Sequence, residues 1–94
     1  MQFWFDVGRH EIHRVVFSYD KTWGKTLITV DGFSVVEHTE WFSFSTVKTF
    51  EFLVGRQEQH QVAVRKTRTV FMAFARPMVY EVFVDGWPFR TFEG

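Results

Sequence analysis

The stretch Lys25-Thr26-Leu27-Ile28-Thr29-Val30-Asp31-Gly32-Phe33-Ser34-Val35-Val36-Glu37-His38 decides the fold class. Two runs rich in β-branched and apolar residues flank the dipeptide Asp31-Gly32. Asp and Gly both tolerate the positive φ that a type I′ turn requires at its central positions, and the twist of that turn suits paired strands. The segment is therefore predicted to be an antiparallel hairpin, Lys25–Val30 against Phe33–His38. The same chemistry returns near the C-terminus, where Val82-Phe83-Val84-Asp85-Gly86-Trp87 echoes Ile28-Thr29-Val30-Asp31-Gly32-Phe33. Convergence of two hairpins on one turn and a true internal duplication both account for the echo.

Working outward from this hairpin, nearly every segment reads as strand. Val, Thr, Phe and Trp dominate, and no window carries the apolar period of a helix. Phe3–Val7 is a strand closed by Gly8, and Glu11–Tyr19 is the second. A polar loop at 20–24 then leads into the hairpin. Trp41–Ser45 and Lys48–Val54 are read as the next pair. Phe50, Phe52 and Val54 share one face while Thr49, Glu51 and Leu53 share the other, the pattern of a sheet with one buried side. His60–Lys66 places Val62 and Val64 inward. A turn at Thr67-Arg68 leads into Thr69–Ala75, broken by Arg76-Pro77. Met78–Val84 and Trp87–Phe92 form the final hairpin, and Pro88 marks the last strand as an edge because proline cannot donate to a ladder. The expected fold class is all-β: a compact antiparallel sandwich of about eight short strands with no significant helix, forming one domain over residues 1–94.

Composition narrows the function. With 11 basic and 11 acidic residues the formal net charge is zero, which disfavours a basic nucleic-acid module. Cys is absent, so disulfides, zinc-thiolate sites and cysteine nucleophiles are excluded. Hydrophobic residues make up 46% of the chain, too many for intrinsic disorder. No apolar run approaches the ~20 residues of a membrane-spanning helix, and the N-terminal residues do not read as a signal peptide. A cytoplasmic protein without a membrane anchor is the expectation. Aromatic residues reach 20%, and they either enlarge a small core or serve contacts outside it.

The ordered set Gly8-x-His10-x-Ile12, Gly24-Lys25, Val30-Asp31-Gly32, Trp41-x-x-Phe44, Phe52-x-Val54-Gly55, Tyr80-Glu81 and Val84-Asp85-Gly86 resembles the Fas apoptotic inhibitory molecule family. Each motif alone is common hairpin chemistry; order and spacing carry the likeness, which spans almost the whole chain. The resemblance implies one of the two tandem domains of that family, an antiparallel β-sandwich without enzymatic activity. It further implies a soluble cytoplasmic protein that acts through protein contacts. It supplies no catalytic motif to carry over.

The residues that carry chemistry elsewhere have plainer readings here. His10-x-x-His13 would place its imidazoles on opposite faces of a straight strand, and zinc needs three or four converging ligands. With His38 and His60 these are read as solvated or core-edge histidines. Ser18, Ser34, Ser43 and Ser45 lie in no nucleophile elbow. The carboxylates are scattered, Asp31 and Asp85 are explained by their turns, and only proximity in the fold could make a working pair. Arg65-Lys66-Thr67-Arg68, with Arg56, Arg76 and Arg90, reads as a solvated charged turn rather than a nucleic-acid patch. Gly24-Lys25-Thr26 lacks the glycine and the following helix of a phosphate loop. No enzyme activity, cofactor, metal or nucleic acid is expected.

Surplus apolar residues are the functional clue. Met78–Val84 offers Met78, Tyr80, Val82 and Val84 on one face, and Val79 and Phe83 around Glu81 on the other. Val70–Ala75 is likewise two-faced, with Phe71 on its second side. A two-layer sandwich leaves one face of each sheet wet, so the face carrying Phe71, Val79 and Phe83, with Trp87 beside it, is expected to bind a protein partner or a second copy. The alternative is a small-molecule or carbohydrate module that stacks its ligand on Trp23 and Trp87.

Overall fold

The computed structural model describes residues 1–20, 24–39, 47–67 and 78–94. These form eight strands: β1 (Gln2–Val7), β2 (His13–Asp20), β3 (Lys25–Val30), β4 (Phe33–Thr39), β5 (Val47–Val54), β6 (His60–Thr67), β7 (Val79–Val84) and β8 (Trp87–Glu93). They make two four-stranded antiparallel meanders, β1-β2-β3-β4 and β5-β6-β7-β8. No helix among the described residues is long and apolar enough to cross a membrane. The all-β sandwich reading is met.

Alternation sets the faces. In β1, Phe3, Phe5 and Val7 are buried while Gln2, Trp4 and Asp6 are exposed. In β6, Val62 and Val64 are fully buried. In β5, Phe50 and Val54 turn inward and Leu53 lies outside at 64% exposure. The inner faces meet through rings. Phe17 of β2 lies 5.1 Å from Tyr80 of β7 and 6.2 Å from Phe50 of β5, edge to face. Phe3 of β1 stacks on Phe92 of β8 at 4.1 Å. At the opposite border His38 of β4 meets Phe50 of β5 at 5.9 Å. Such aromatic pairs add about 0.5–1.5 kcal/mol each beyond their area burial. Rings thus bridge the layers of a domain whose length limits its core.

The two Asp-Gly turns have the expected form. Asp31 and Asp85 stand at φ 51° and 53°, each followed by a glycine with positive φ. Both hairpins also carry a bulge at the same place, after Ile28 in the β3–β4 pair and after Val82 in the β7–β8 pair. Each leaves one extra residue on the edge strand, Val35 in β4 and Phe89 in β8. The two halves of the chain therefore repeat each other in strand order, turn and irregularity, well beyond the short echo in the sequence. Pro88 does lie on an edge strand.

Three expectations change. β2 begins at His13 rather than Glu11, because Glu11 and Ile12 belong to the preceding loop. His10 is in that loop too, so the opposite-face argument for His10 and His13 does not apply. β6 runs to Thr67, one residue past the predicted strand end, so Arg65, Lys66 and Thr67 of the basic stretch belong to the strand and not to a charged turn. Arg65 pairs with Glu81 at 2.9 Å and lies over the Phe83 ring, while Lys66 sits 3.5 Å above the Tyr19 ring. The strands read at Trp41–Ser45 and Thr69–Ala75, and the residues Trp23 and Phe71, lie outside the described residues.

Candidate functional site

The β1–β2 and β5–β6 loops meet at one end of the sandwich, and they repeat each other in sequence. Val7-Gly8-Arg9-His10-Glu11-Ile12-His13 matches Val54-Gly55-Arg56-Gln57-Glu58-Gln59-His60 at Val, Gly, Arg, Glu and His. Gly8 and Gly55 stand at φ +115° and +101°, and a Cβ on either would lie 2.0 Å from the carbonyl oxygen of Glu11 or Glu58 respectively. Only glycine closes these loops. Closure turns three consecutive N–H groups of each loop toward one point, an arrangement that attracts an anion.

Each loop supplies the anion for the other. The Glu58 carboxylate accepts from the N–H groups of Arg9 (2.7 Å), His10 (2.8 Å) and Glu11 (3.3 Å). The Glu11 carboxylate accepts from Arg56 (3.1 Å), Gln57 (2.9 Å) and Glu58 (2.9 Å). This reciprocal clasp ties the first meander to the second.

A histidine stands behind each glutamate. His13 Nε2 is 3.0 Å from Glu11 Oε1, and its Nδ1 meets Asp31 Oδ2. His60 Nε2 is 2.5 Å from Glu58 Oε2, and its Nδ1 is 2.6 Å from Asp85 Oδ2. The turn aspartates are held as well. Arg14 N–H donates to Asp31 Oδ1 and Gln61 N–H to Asp85 Oδ1, both at 2.9 Å. Asp31 and Asp85 thus carry a second role that the turn reading alone does not assign.

The charges shift accordingly. N–H groups of Glu58 and Arg56, then the His13 side chain, hold the Glu11 carboxyl down at about 2. His60, then the N–H groups of His10 and Arg9, hold Glu58 at about 2. Hydrogen bonds to Asp31 and then Glu11 raise His13; Asp85 and then Glu58 raise His60. Asp31 and Asp85 are lowered, chiefly by their histidines.

An acid-limb prediction follows. A carboxylate lowered on folding stabilises the fold above its unfolded value, and that contribution is lost as pH falls through the folded value. The stability contributed by Glu11 and Glu58 is expected to hold down to about pH 4.5 and then to decline toward pH 2. Carboxyl carbon shifts in an NMR titration check it; Glu11 and Glu58 titrating near 4.5 would contradict the clasp.

Val79 and Phe83 lie on the outer side of β7, both half-buried. Trp87 pairs with Val84, an inner-side position, so Trp87 is not on the face of Val79 and Phe83. Trp87 is 76% exposed, and its counterpart after the other Asp-Gly turn, Phe33, is 78% exposed. Phe33 and the clasp glutamates Glu11 and Glu58 were not singled out by reading the strands, and His13 and His60 were read only as solvated or core-edge histidines. The repeated Val-Gly-Arg-x-Glu-x-His is the sequence signal that finds the clasp.

The family model for the Fas apoptotic inhibitory molecule (FAIM1) matches residues 4–94. No curated protein and no solved structure matches the chain.

Proposed function

The chain belongs to the Fas apoptotic inhibitory molecule family, and from that premise we propose that it is a non-catalytic β-sandwich working through protein contacts, a second copy of the chain foremost among them. The observation that carries this reading is the pair of bare rings at the hairpin tips. Phe33 and Trp87 are 78% and 76% exposed, each beside an exposed bulge residue, Val35 at 44% and Phe89 at 42%. Apolar groups this exposed on edge strands lose contact with water when another molecule covers them. Val79 and Phe83 provide a second, partly covered apolar strip on the outside of β7.

The histidine clusters support a non-catalytic role. Each imidazole has a carboxylate on both nitrogens, and each glutamate accepts backbone N–H groups. A general base needs a free lone pair aimed at substrate. At His60 both nitrogens are hydrogen-bonded to carboxylates; at His13 the Nδ1 bonds Asp31 and the Nε2 lies in ion-pair range of Glu11. The carboxylates stand on opposite sides of each ring and so do not converge on one point as metal ligands do. A cytoplasmic place of work is part of the same reading and rests on the family resemblance.

Sedimentation velocity over a concentration series tests it. The wild-type chain is expected to dimerise, and F33S/W87S to weaken the dimer at least about tenfold, since each buried ring is worth about 1.5–3 kcal/mol. A monomer at every concentration, unchanged by the substitutions, overturns self-association. The exposed Trp87 ring also suits stacking of a sugar. Oligosaccharide titration followed by tryptophan fluorescence separates the two readings: a saturable shift abolished by W87S would favour the ligand.

A further inference from the structure

The clasp has a donor count that depends on two protons. A carboxylate only accepts hydrogen bonds, and a neutral imidazole has one N–H. His13 has Glu11 on one nitrogen and Asp31 on the other; His60 has Glu58 and Asp85. At His60 only the doubly protonated ring donates to both carboxylates; at His13 the imidazolium donates through Nδ1 to Asp31, and its buried Nε2, which makes no hydrogen bond, faces Glu11 Oε1 in ion-pair contact. A neutral ring would set a lone pair against a carboxylate oxygen within hydrogen-bond distance, with two negative charges across it. The other titratable loop residues, Arg9, His10 and Arg56, reach the carboxylates through backbone N–H groups. The nearby Arg14 guanidinium pairs with Asp6. No other cation is recorded in contact with the four carboxylates among the described residues.

We propose that this end of the sandwich is a proton-gated clasp: the His13 and His60 imidazoliums hold Glu11 and Glu58 in place across the two loops, and loss of their protons releases the loops from each other. The sign follows from the geometry and agrees with the raised titration of both rings. A group raised on folding stabilises the closed clasp below its unfolded value, and that contribution is lost as pH rises through the folded value. The clasp is closed in mild acid and opens as pH rises above the ordinary histidine range. Opening bares the six loop N–H groups while leaving the meanders paired, because the sheet ladders and the ring contacts of Phe17 lie elsewhere.

NMR on the 94-residue chain tests it in one pH series. Imidazole carbon signals of all four histidines are followed together with hydrogen-exchange protection factors for the amides of Arg9, His10, Glu11, Arg56, Gln57 and Glu58. His13 and His60 are expected to titrate above 6.5, and protection of the six amides to fall as the rings deprotonate. The fall should be roughly tenfold for each unit by which the folded value exceeds the unfolded one. Val62 and Val64 amides should keep their protection. In H13Q/H60Q the pH dependence of loop protection should vanish. Rings titrating at or below 6.5, or loop protection unchanged across their titration in the wild-type chain, would overturn the proposal whether or not the variant folds.

Discussion

Phe17→Ala is expected to lower stability by about 3–5 kcal/mol, the range for losing a large buried ring together with leaving a cavity. Phe17 is fully buried and stands 4.8 Å from Phe3 on its own sheet. It also reaches Tyr80 and Phe50 on the other sheet. The cavity would therefore open between the layers, where neither sheet can close it without moving whole strands. Folded domains are worth only about 5–15 kcal/mol in total, so this single change removes a large share. Urea titration followed by tryptophan fluorescence reads it, with Trp4→Ala on the outer face of β1 as the control. A loss under about 1 kcal/mol would mean that the layers are not joined through this ring.

Gly8→Ala and Gly55→Ala are expected to be comparably severe for a different reason. Gly32 and Gly86 also have positive φ, but a Cβ there meets nothing within 4 Å. Alanine at those two positions carries only the cost of the left-handed backbone, about 1–2 kcal/mol. At Gly8 and Gly55 the added carbon overlaps a backbone carbonyl oxygen of the same loop, at 2.0 Å. That atom belongs to Glu11 or Glu58, so relief of the clash displaces the residue whose carboxylate joins the two halves. A cost of at least about 3 kcal/mol is expected, the upper end for a residue held in a rare backbone region with the clash added. Melting temperatures fall by about 4–8 °C per kcal/mol for a domain near this size, so the two pairs of glycines separate clearly. Equal losses at all four glycines would show that φ alone matters and that the loops do not depend on close approach.

The existence of the described strands, and the faces of β5 and β6, were legible because their causes are local. Period-two alternation in β5 and β6 placed Phe50, Val62 and Val64 inside, and the burial agrees. Asp31-Gly32 and Asp85-Gly86 announced their turns because few residues accept positive φ. The clasp was not legible in the same way. Glu11 reads as the polar start of a strand and Glu58 as one more polar residue in a turn. Their importance lies in partners far along the chain, and the repeated Val-Gly-Arg-x-Glu-x-His hints at it only when the halves are laid side by side.

From its sequence alone this chain determined that it is all-β, where its Asp-Gly hairpins turn and which side of β5 and β6 is buried, because backbone sterics and alternation act over a few residues. Tertiary packing decided that Glu11 answers the N–H groups of Glu58's loop and Glu58 those of Glu11's, at a sequence separation of 47. It also decided that Phe17 joins two sheets and that Phe33 and Trp87 remain in water. Each of those outcomes depends on how one layer settles on the other. A hydrogen bond or a buried ring takes its meaning from what arrives across that gap.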